Sequence, residues 1–253
     1  MAELVRIDID EQIARITLDS QHNRNALSRQ LVAELGEAID TAEAAEARAI
    51  VLGHAGPAFC AGADLKERSE DGSPPDSSAM VTVMRRLADT GRPTIAAVEG
   101  AVRAGGIGLM ASCDLVVVDR SVSFALTEVR IGVAAAIISV PILARVPPAK
   151  IAAAMLTGEP FDAEEARSMG LVTQVTDDVR AQVDRWCAGI LAGAPRAVRE
   201  TKALLRRVPT LDRDTAFAEM QTLSEALFQG PDAREGMAAF REKRTPVWPR
   251  GSV

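Results

Sequence analysis

Three short runs, Arg48–His54 (RAIVLGH), Pro93–Gly100 (PTIAAVEG) and Asp114–Asp119 (DLVVVD), are apolar almost without a break. Runs of this length read as buried strands rather than helices. A helical pattern, Ala79–Thr90, separates the first two. A glycine-rich turn that opens a short helix separates the last two. The order strand–helix–strand–glycine turn–helix–strand implies an α/β core. Ahead of it, Leu4–Asp10 and Ile13–Asp19 alternate apolar and polar residues across Glu11-Gln12, the pattern of a hairpin. Leu31, Val32, Leu35 and Ile39 then keep helical spacing behind Ser28, a suitable cap. Glu67–Ser78 is polar, carries two prolines and reads as a surface loop. From Pro141 onward the pattern is helical, with one strand expected near Leu171–Val175 and a last helix over Asp232–Arg244.

Bulk properties exclude several classes of function. A net charge of -6 disfavours a nucleic-acid or anionic-membrane surface, and 3% aromatic residues are too few for a base-stacking platform. Three widely spaced cysteines, Cys60, Cys113 and Cys187, do not form a disulfide framework and fit a reducing, cytoplasmic setting. Neither His22 nor His54 has a ligand-spaced partner, so no metal site is expected. No run approaches the ~18 apolar residues of a membrane span. At 253 residues the chain can bury one sizeable core.

The glycine turn, AVRAGGIGLMASCDL (Ala101–Leu115), holds Gly105, Gly106 and Gly108. Its spacing fits neither dinucleotide nor P-loop fingerprints. Glycines here serve either close helix packing or a backbone that approaches a ligand and offers free N–H groups. A second small-residue turn, Ala61-Gly62-Ala63 in FCAGADLKE (Phe59–Glu67), follows the Arg48–Gly53 strand. Two such turns, each giving one N–H, can build an oxyanion hole.

These stretches resemble the crotonase, or enoyl-CoA hydratase/isomerase, superfamily. HNRNALS (His22–Ser28) is similar to its acyl-CoA-binding loop, Phe59–Glu67 and Ala104–Asp114 to its oxyanion segments, and FALTEVRIG (Phe124–Gly132) to its catalytic-glutamate segment. Leu156–Val172 and Asp232–Trp248 resemble its later signatures. The resemblance implies a spiral of ββα units over 1–195 and a C-terminal helical trimerisation region over 196–253. It implies a homotrimer or dimer of trimers acting on an acyl-CoA thioester in fatty acid metabolism. Coenzyme A would be part of the substrate and no other cofactor would be needed. The N–H groups of Ala63 and Gly105 would hold the thioester oxygen, and Glu128 would be the acid/base. Arg24, Ala26, Ala61, Lys66, Phe240 and Lys243 match positions that bind coenzyme A, Lys243 on behalf of a neighbouring subunit.

The chain departs from the hydratase pattern at Gly108, where the first of two catalytic glutamates would stand. With Glu128 alone, the resemblance favours a double-bond shift mechanistically, although hydration of a 2-enoyl-CoA is the family's default. A weakly active or non-catalytic acyl-CoA binder is the alternative. Dienoyl-CoA isomerases are disfavoured, because their acids would fall at Gly108 and Ala136. After Glu128, Ala135 and Ala136 replace a usual Pro-Gly, and Ile137 and Ile138 are bulky. Such a wall would make the acyl pocket dry and raise the Glu128 pKa. Glu67 or Glu70 would partly replace the missing acid if the polar loop folded over the site. Cys60 and Cys113 read as small buried fillers, His54 as a strand-end residue, and Ser112 lacks the elbow motif of a serine hydrolase.

Overall fold

The computed structural model describes residues 3–67 and 77–248. β1 (Val5–Asp10) and β2 (Ile13–Leu18) form the expected antiparallel hairpin. Glu11 and Gln12 take positive φ angles of 45° and 67°, the two-residue turn whose twist matches the strands. α1 (Arg29–Ala44) is capped by the Ser28 hydroxyl, which accepts from the Leu31 N–H at 3.2 Å. β3 (Ala49–His54), β4 (Ala58–Cys60) and α2 (Ser78–Asp89) follow. Then come β5 (Thr94–Val98), β6 (Ala101–Arg103) and α3 (Gly105–Ala111), and after them β7 (Leu115–Asp119), β8 (Ser123–Ala125) and α4 (Ala136–Leu143).

Each of these three ββα units gives its first strand to a large sheet and its second to a small one. The large sheet has the order β1-β2-β3-β5-β7-β10, parallel from β2 onward, where β10 is Gln174–Thr176. The small sheet has the order β4-β6-β8-β9, where β9 is Phe161–Asp162; its first three strands are parallel. α5 (Pro148–Thr157) and α6 (Ala163–Met169) flank β9, and α7 (Val179–Ala192) follows β10. The large sheet's central strands β3, β5 and β7 are buried on both faces, which is why they lack the polar alternation of the β1–β2 hairpin. Ile50, Leu52, Ala96, Val98, Val116 and Val118 face the main core. The intervening Ala49, Val51, Ile95 and Val117 pack with Val179, Val183 and Cys187 of α7.

Two readings need correction. The strand expected at Leu171–Val175 begins later, at Gln174. α6 ends at Gly170 in a left-handed cap, and the N–H groups of Leu171 and Val172 both turn back to the Ala166 carbonyl. Those two apolar residues fill the core from a helix end instead of a strand. Pro141 lies inside α4 rather than opening the helical half. Most of the polar segment Glu67–Ser78 lies outside the described residues.

α8 (Pro195–Arg207), α9 (Arg213–Phe228) and α10 (Pro231–Glu242) bury few side chains; α9 buries none, and Phe217, Phe228 and Phe240 are exposed. One lysine ties α8 to the sheet. The Lys202 ammonium pairs with the Asp114 carboxylate at 2.8 Å and donates to the carbonyls of Leu87 and Arg92 at 3.2 and 2.8 Å. Each of its N–H donors thus has an acceptor. The same Asp114 oxygen accepts from the Thr94 N–H and hydroxyl. Burial lowers the Lys202 pKa, and Asp114 opposes that shift. No described helix is long and apolar enough to cross a membrane.

Lys202→Met keeps the stem volume but strands a nearly buried carboxylate and two carbonyls. It is expected to lower stability by about 3 kcal/mol, less whatever Arg206 recovers by moving closer to Asp114. Urea unfolding of the variant measures the loss, and a midpoint equal to wild type refutes this account.

Candidate active site

β4, β6 and β8 are neighbouring parallel strands, so the turns leaving their C-terminal ends lie side by side. Those turns carry Ala63, Gly105 and Glu128. The first is shaped from beneath. Arg24 and Asn25 take positive φ angles of 58° and 55°, and Asn25 is fully buried. Its amide accepts from the Ser20 N–H at 2.7 Å and donates to the carbonyls of Ala55 and Ala58 at 3.0 and 2.8 Å. This pins the 20–28 loop against the β3–β4 turn. Leu27 then runs beside Ala63 as an isolated parallel bridge: the Leu27 N–H donates to the Gly62 carbonyl, and the Asp64 N–H to the Leu27 carbonyl. That pairing uses the amides on either side and leaves the Ala63 N–H free of any described acceptor.

The Gly105 N–H is equally open, as the first residue of α3 must be. Ala104 immediately before it has φ 46° and ψ -119°, a conformation costing an L-residue roughly 1–3 kcal/mol. Its own N–H donates to the Ala125 carbonyl of β8, which fixes the peptide that presents Gly105. The two open amides are close together: a Cβ placed on Gly105 would lie 3.9 Å from the Ala63 nitrogen.

The three glycines also have packing reasons, each a different one. A Cβ on Gly105 would come within 2.9 Å of Leu27 Cδ1, and one on Gly106 within 2.6 Å of Cys60 Cβ. A Cβ on Gly108 would lie 2.4 Å from Ile138 Cγ2, 2.6 Å from Ile138 Cβ and 2.8 Å from Met84 Cε. The packing reading of this turn therefore holds at all three glycines, and the Gly105 N–H stays open beside it. No space is left at Gly108, because Ile138 and Met84 occupy it.

Glu128 opens a 3-10 turn, Glu128–Ile131, directly after β8. The turn is closed by the Val133 N–H on the Glu128 carbonyl and by Arg130 Nε on the Thr157 carbonyl. The carboxylate oxygen Oε2 is buried with no hydrogen-bond partner among the described residues, and burial raises the Glu128 pKa above the ordinary glutamate value.

The remaining candidates fall in different places. Arg24, Ala61 and Lys66 are exposed on the paired loops, Ala26 is buried between them, and the backbone N–H of Ala61 donates to the Arg24 carbonyl. Phe240, 86% exposed, and Lys243, also exposed, stand on or just after α10. Ala135 and Ile137 are half-buried at the edge of the main core and Ala136 is exposed. Ile138, one residue further, makes the buried contact with α3. The Glu67 carboxylate accepts from the Arg29 N–H at 2.8 Å, so it caps α1 and does not stand in for the missing acid. Glu70 lies outside the described residues. Burial pushes the thiols of Cys60 and Cys113 up to about 12, which keeps both protonated and inert. The Ser112 hydroxyl donates to the Gly108 carbonyl inside the helix, and His54 Nε2 accepts from the Glu99 N–H at 3.0 Å. Sequence reasoning named neither Met80 and Met84 nor Leu27 as site walls; their helical or bridging positions became site positions only through the close approach of α3.

Comparison with known proteins finds relatives that match nearly the whole chain. The enoyl-CoA hydratase/isomerase family profile matches residues 8–251. The human mitochondrial enoyl-CoA hydratase domain-containing protein 3 is 32% identical over 93% of this chain and 80% of its own length. A mevalonyl-coenzyme A hydratase from Beauveria bassiana is 32% identical over 92% of this chain and 90% of its own. The crystal structure of an enoyl-CoA hydratase from Mycobacterium smegmatis superposes with a TM-score of 0.90 at 33% identity, covering 98% of this chain and 99% of that one. With the spiral of ββα units and these matches together, the chain belongs to the enoyl-CoA hydratase/isomerase family.

Proposed function

We propose that this protein shifts the double bond of an enoyl-CoA thioester, using Glu128 as its single acid/base. The observation that carries the reading is the unpartnered, buried carboxylate oxygen of Glu128 on the strand-end turn next to the open Gly105 amide. In a 3-enoyl-CoA the Glu128 carboxylate takes a proton from C2. The C–H electron pair moves into a dienolate whose charge sits on the thioester oxygen. The protonated carboxyl then returns the proton at C4, leaving a 2-enoyl-CoA. The N–H groups of Ala63 and Gly105 stabilise that oxygen more as an oxyanion than as a carbonyl, and losing one such donor typically costs about 3 kcal/mol of transition-state stabilisation.

Coenzyme A enters as part of the substrate, with Arg24 and Lys66 on the paired loops facing its phosphates and Ala26 and Ala61 beside them. The exposed apolar faces of α8–α10 suit a trimer, in which Phe240 and Lys243 reach a neighbouring subunit's ligand. A second reading, an acyl-CoA binder without turnover, is favoured by the filled position at Gly108; tight binding of both enoyl isomers with no interconversion would establish it.

Glu128→Gln is expected to slow the double-bond shift by about 10²–10⁴-fold with little change in KM. Product analysis from 3-enoyl-CoA reads this directly, and wild-type turnover by the variant sinks the assignment. Because the base form does the work, kcat/KM should climb with pH through a midpoint above the ordinary glutamate range. A limb at or below that range contradicts a desolvated Glu128. The same burial has a stability sign. The folded state holds the Glu128 proton more tightly than the unfolded state, so ionisation at neutral pH works against folding. Glu128→Gln should therefore raise the thermal midpoint at pH 7, with the gain shrinking as pH falls toward the unfolded glutamate pKa.

A further inference from the structure

Gly105 and Gly108 lie three residues apart and so share a face of α3. That face meets hydrocarbon. Gly105 is approached by Leu27 Cδ1 and Met80 Cε, and Gly108 by Ile138 and Met84 Cε. Met80 and Met84 are themselves four apart on α2, so the two methionines follow the two glycines along the helix pair. Apart from the Ala63 nitrogen, the nearest atoms on this face are carbon. The contact with Ile138 is of a different kind from the methionine contacts. A methionine terminus can swing aside, whereas Ile138 meets the Gly108 position with its Cβ as well as Cγ2, atoms fixed to the backbone of α4. Ile138 is 5% exposed and Ile142, one turn on, is fully buried, so α4 is held in place along this side.

We propose that Ile138 determines which reaction the site performs. Its branched stem fills the volume that any side chain at position 108 would need, and so bars the polar group that could hold a water on the α3 side of the acyl group. This rests on the reading of Glu128 as the acid/base of a thioester enolate. Hydration adds a water hydroxyl to C3 and a proton to C2 of a 2-enoyl-CoA, and it needs a water held by polar groups within reach of C3. An apolar pocket of this kind stays dry even when enlarged, because a bound water requires two to four polar partners. The proton carried by Glu128 then has only carbon to return to, and isomerisation results. It follows that a carboxylate at position 108 and the space to hold it must be supplied together.

The experiment is a cycle of Gly108→Glu, Ile138→Ala and the double variant. The ratio of hydrated to isomerised product is read from 2-enoyl- and 3-enoyl-CoA, with thermal unfolding alongside. Gly108→Glu alone should lower the unfolding midpoint and gain no hydration. The double variant should recover part of the midpoint and raise the hydration-to-isomerisation ratio by about tenfold or more, well inside the 10²–10⁴ that a placed acid–base can supply. Gly108→Ala in the wild-type and Ile138→Ala backgrounds reads the steric coupling without a buried charge. The alanine should lower the midpoint clearly in the first background and by less than half as much in the second. Hydration gained by Gly108→Glu alone at wild-type stability overturns the proposal, as does a folded double variant that isomerises without hydrating. Glu128→Gln separates the two levels: if it leaves isomerisation intact, the acid/base reading fails whatever position 108 does. If it abolishes isomerisation while the double variant still fails to hydrate, only the role of Ile138 is lost.

Discussion

The close approach of α3 to its neighbours is the constraint on which the rest of the site depends. Three positions on one short helix lack a Cβ, and at each the nearest atom stands where a side chain cannot go: Leu27 at Gly105, Cys60 at Gly106, Ile138 at Gly108. This lets the helix N-terminus sit among the ends of β4, β6 and β8. There its unsatisfied first N–H lies near the open amide of Ala63. A helix held off by a methyl layer would carry the Gly105 amide away from that of Ala63. The close packing of α3 and the open amide at its N-terminus thus go together.

The strain next to that turn has the same origin. Ala104 is held at positive φ by two fixed ends: its N–H is committed to β8, and the next residue must begin α3. Its methyl also stands against Gly62, where a Cβ would approach it to 3.0 Å. An alanine in this conformation spaces the two small-residue turns at a cost in local stability that the surrounding sheet absorbs. Behind the site, the buried Asn25 performs a similar task with hydrogen bonds, ordering a loop that would otherwise have unpaired polar backbone against the β3–β4 turn.

Much of the large sheet was legible because its signals are local and repeated. Unbroken apolar runs gave β3, β5 and β7, an alternating pair gave the hairpin, and Ser28 marked the start of α1. The small sheet was not legible. β4, β6 and β8 are three residues each and are defined by pairing partners far away in sequence, which no periodicity window can see. Yet these are the strands that aim the site, so its membership could be read only through a family resemblance. The family resemblance marked Gly108 as the place of a missing acid but not what fills it, because Ile138 lies thirty residues further on and reaches α3 through tertiary packing alone. Lys202 carried no sequence signal; its burial beside Asp114 depends on α8 folding back over the ends of β5 and β7.

Two buried charges in this molecule are treated in opposite ways, and the contrast separates structure from function. Lys202 is surrounded by Asp114 and two carbonyls, so its charge is compensated and serves to fasten the C-terminal helices. Glu128 has one oxygen buried and bonded to nothing. A fold selected for stability alone would pair that oxygen or replace it, because an unsatisfied buried acceptor costs about 1–3 kcal/mol. Asp232 Oδ1 is likewise buried and unpartnered, so what sets Glu128 apart is its place on the strand-end turn beside the one that carries Gly105. In the proposed reaction a substrate C–H bond would meet that oxygen, and its developing charge would be drawn off to the two open amides.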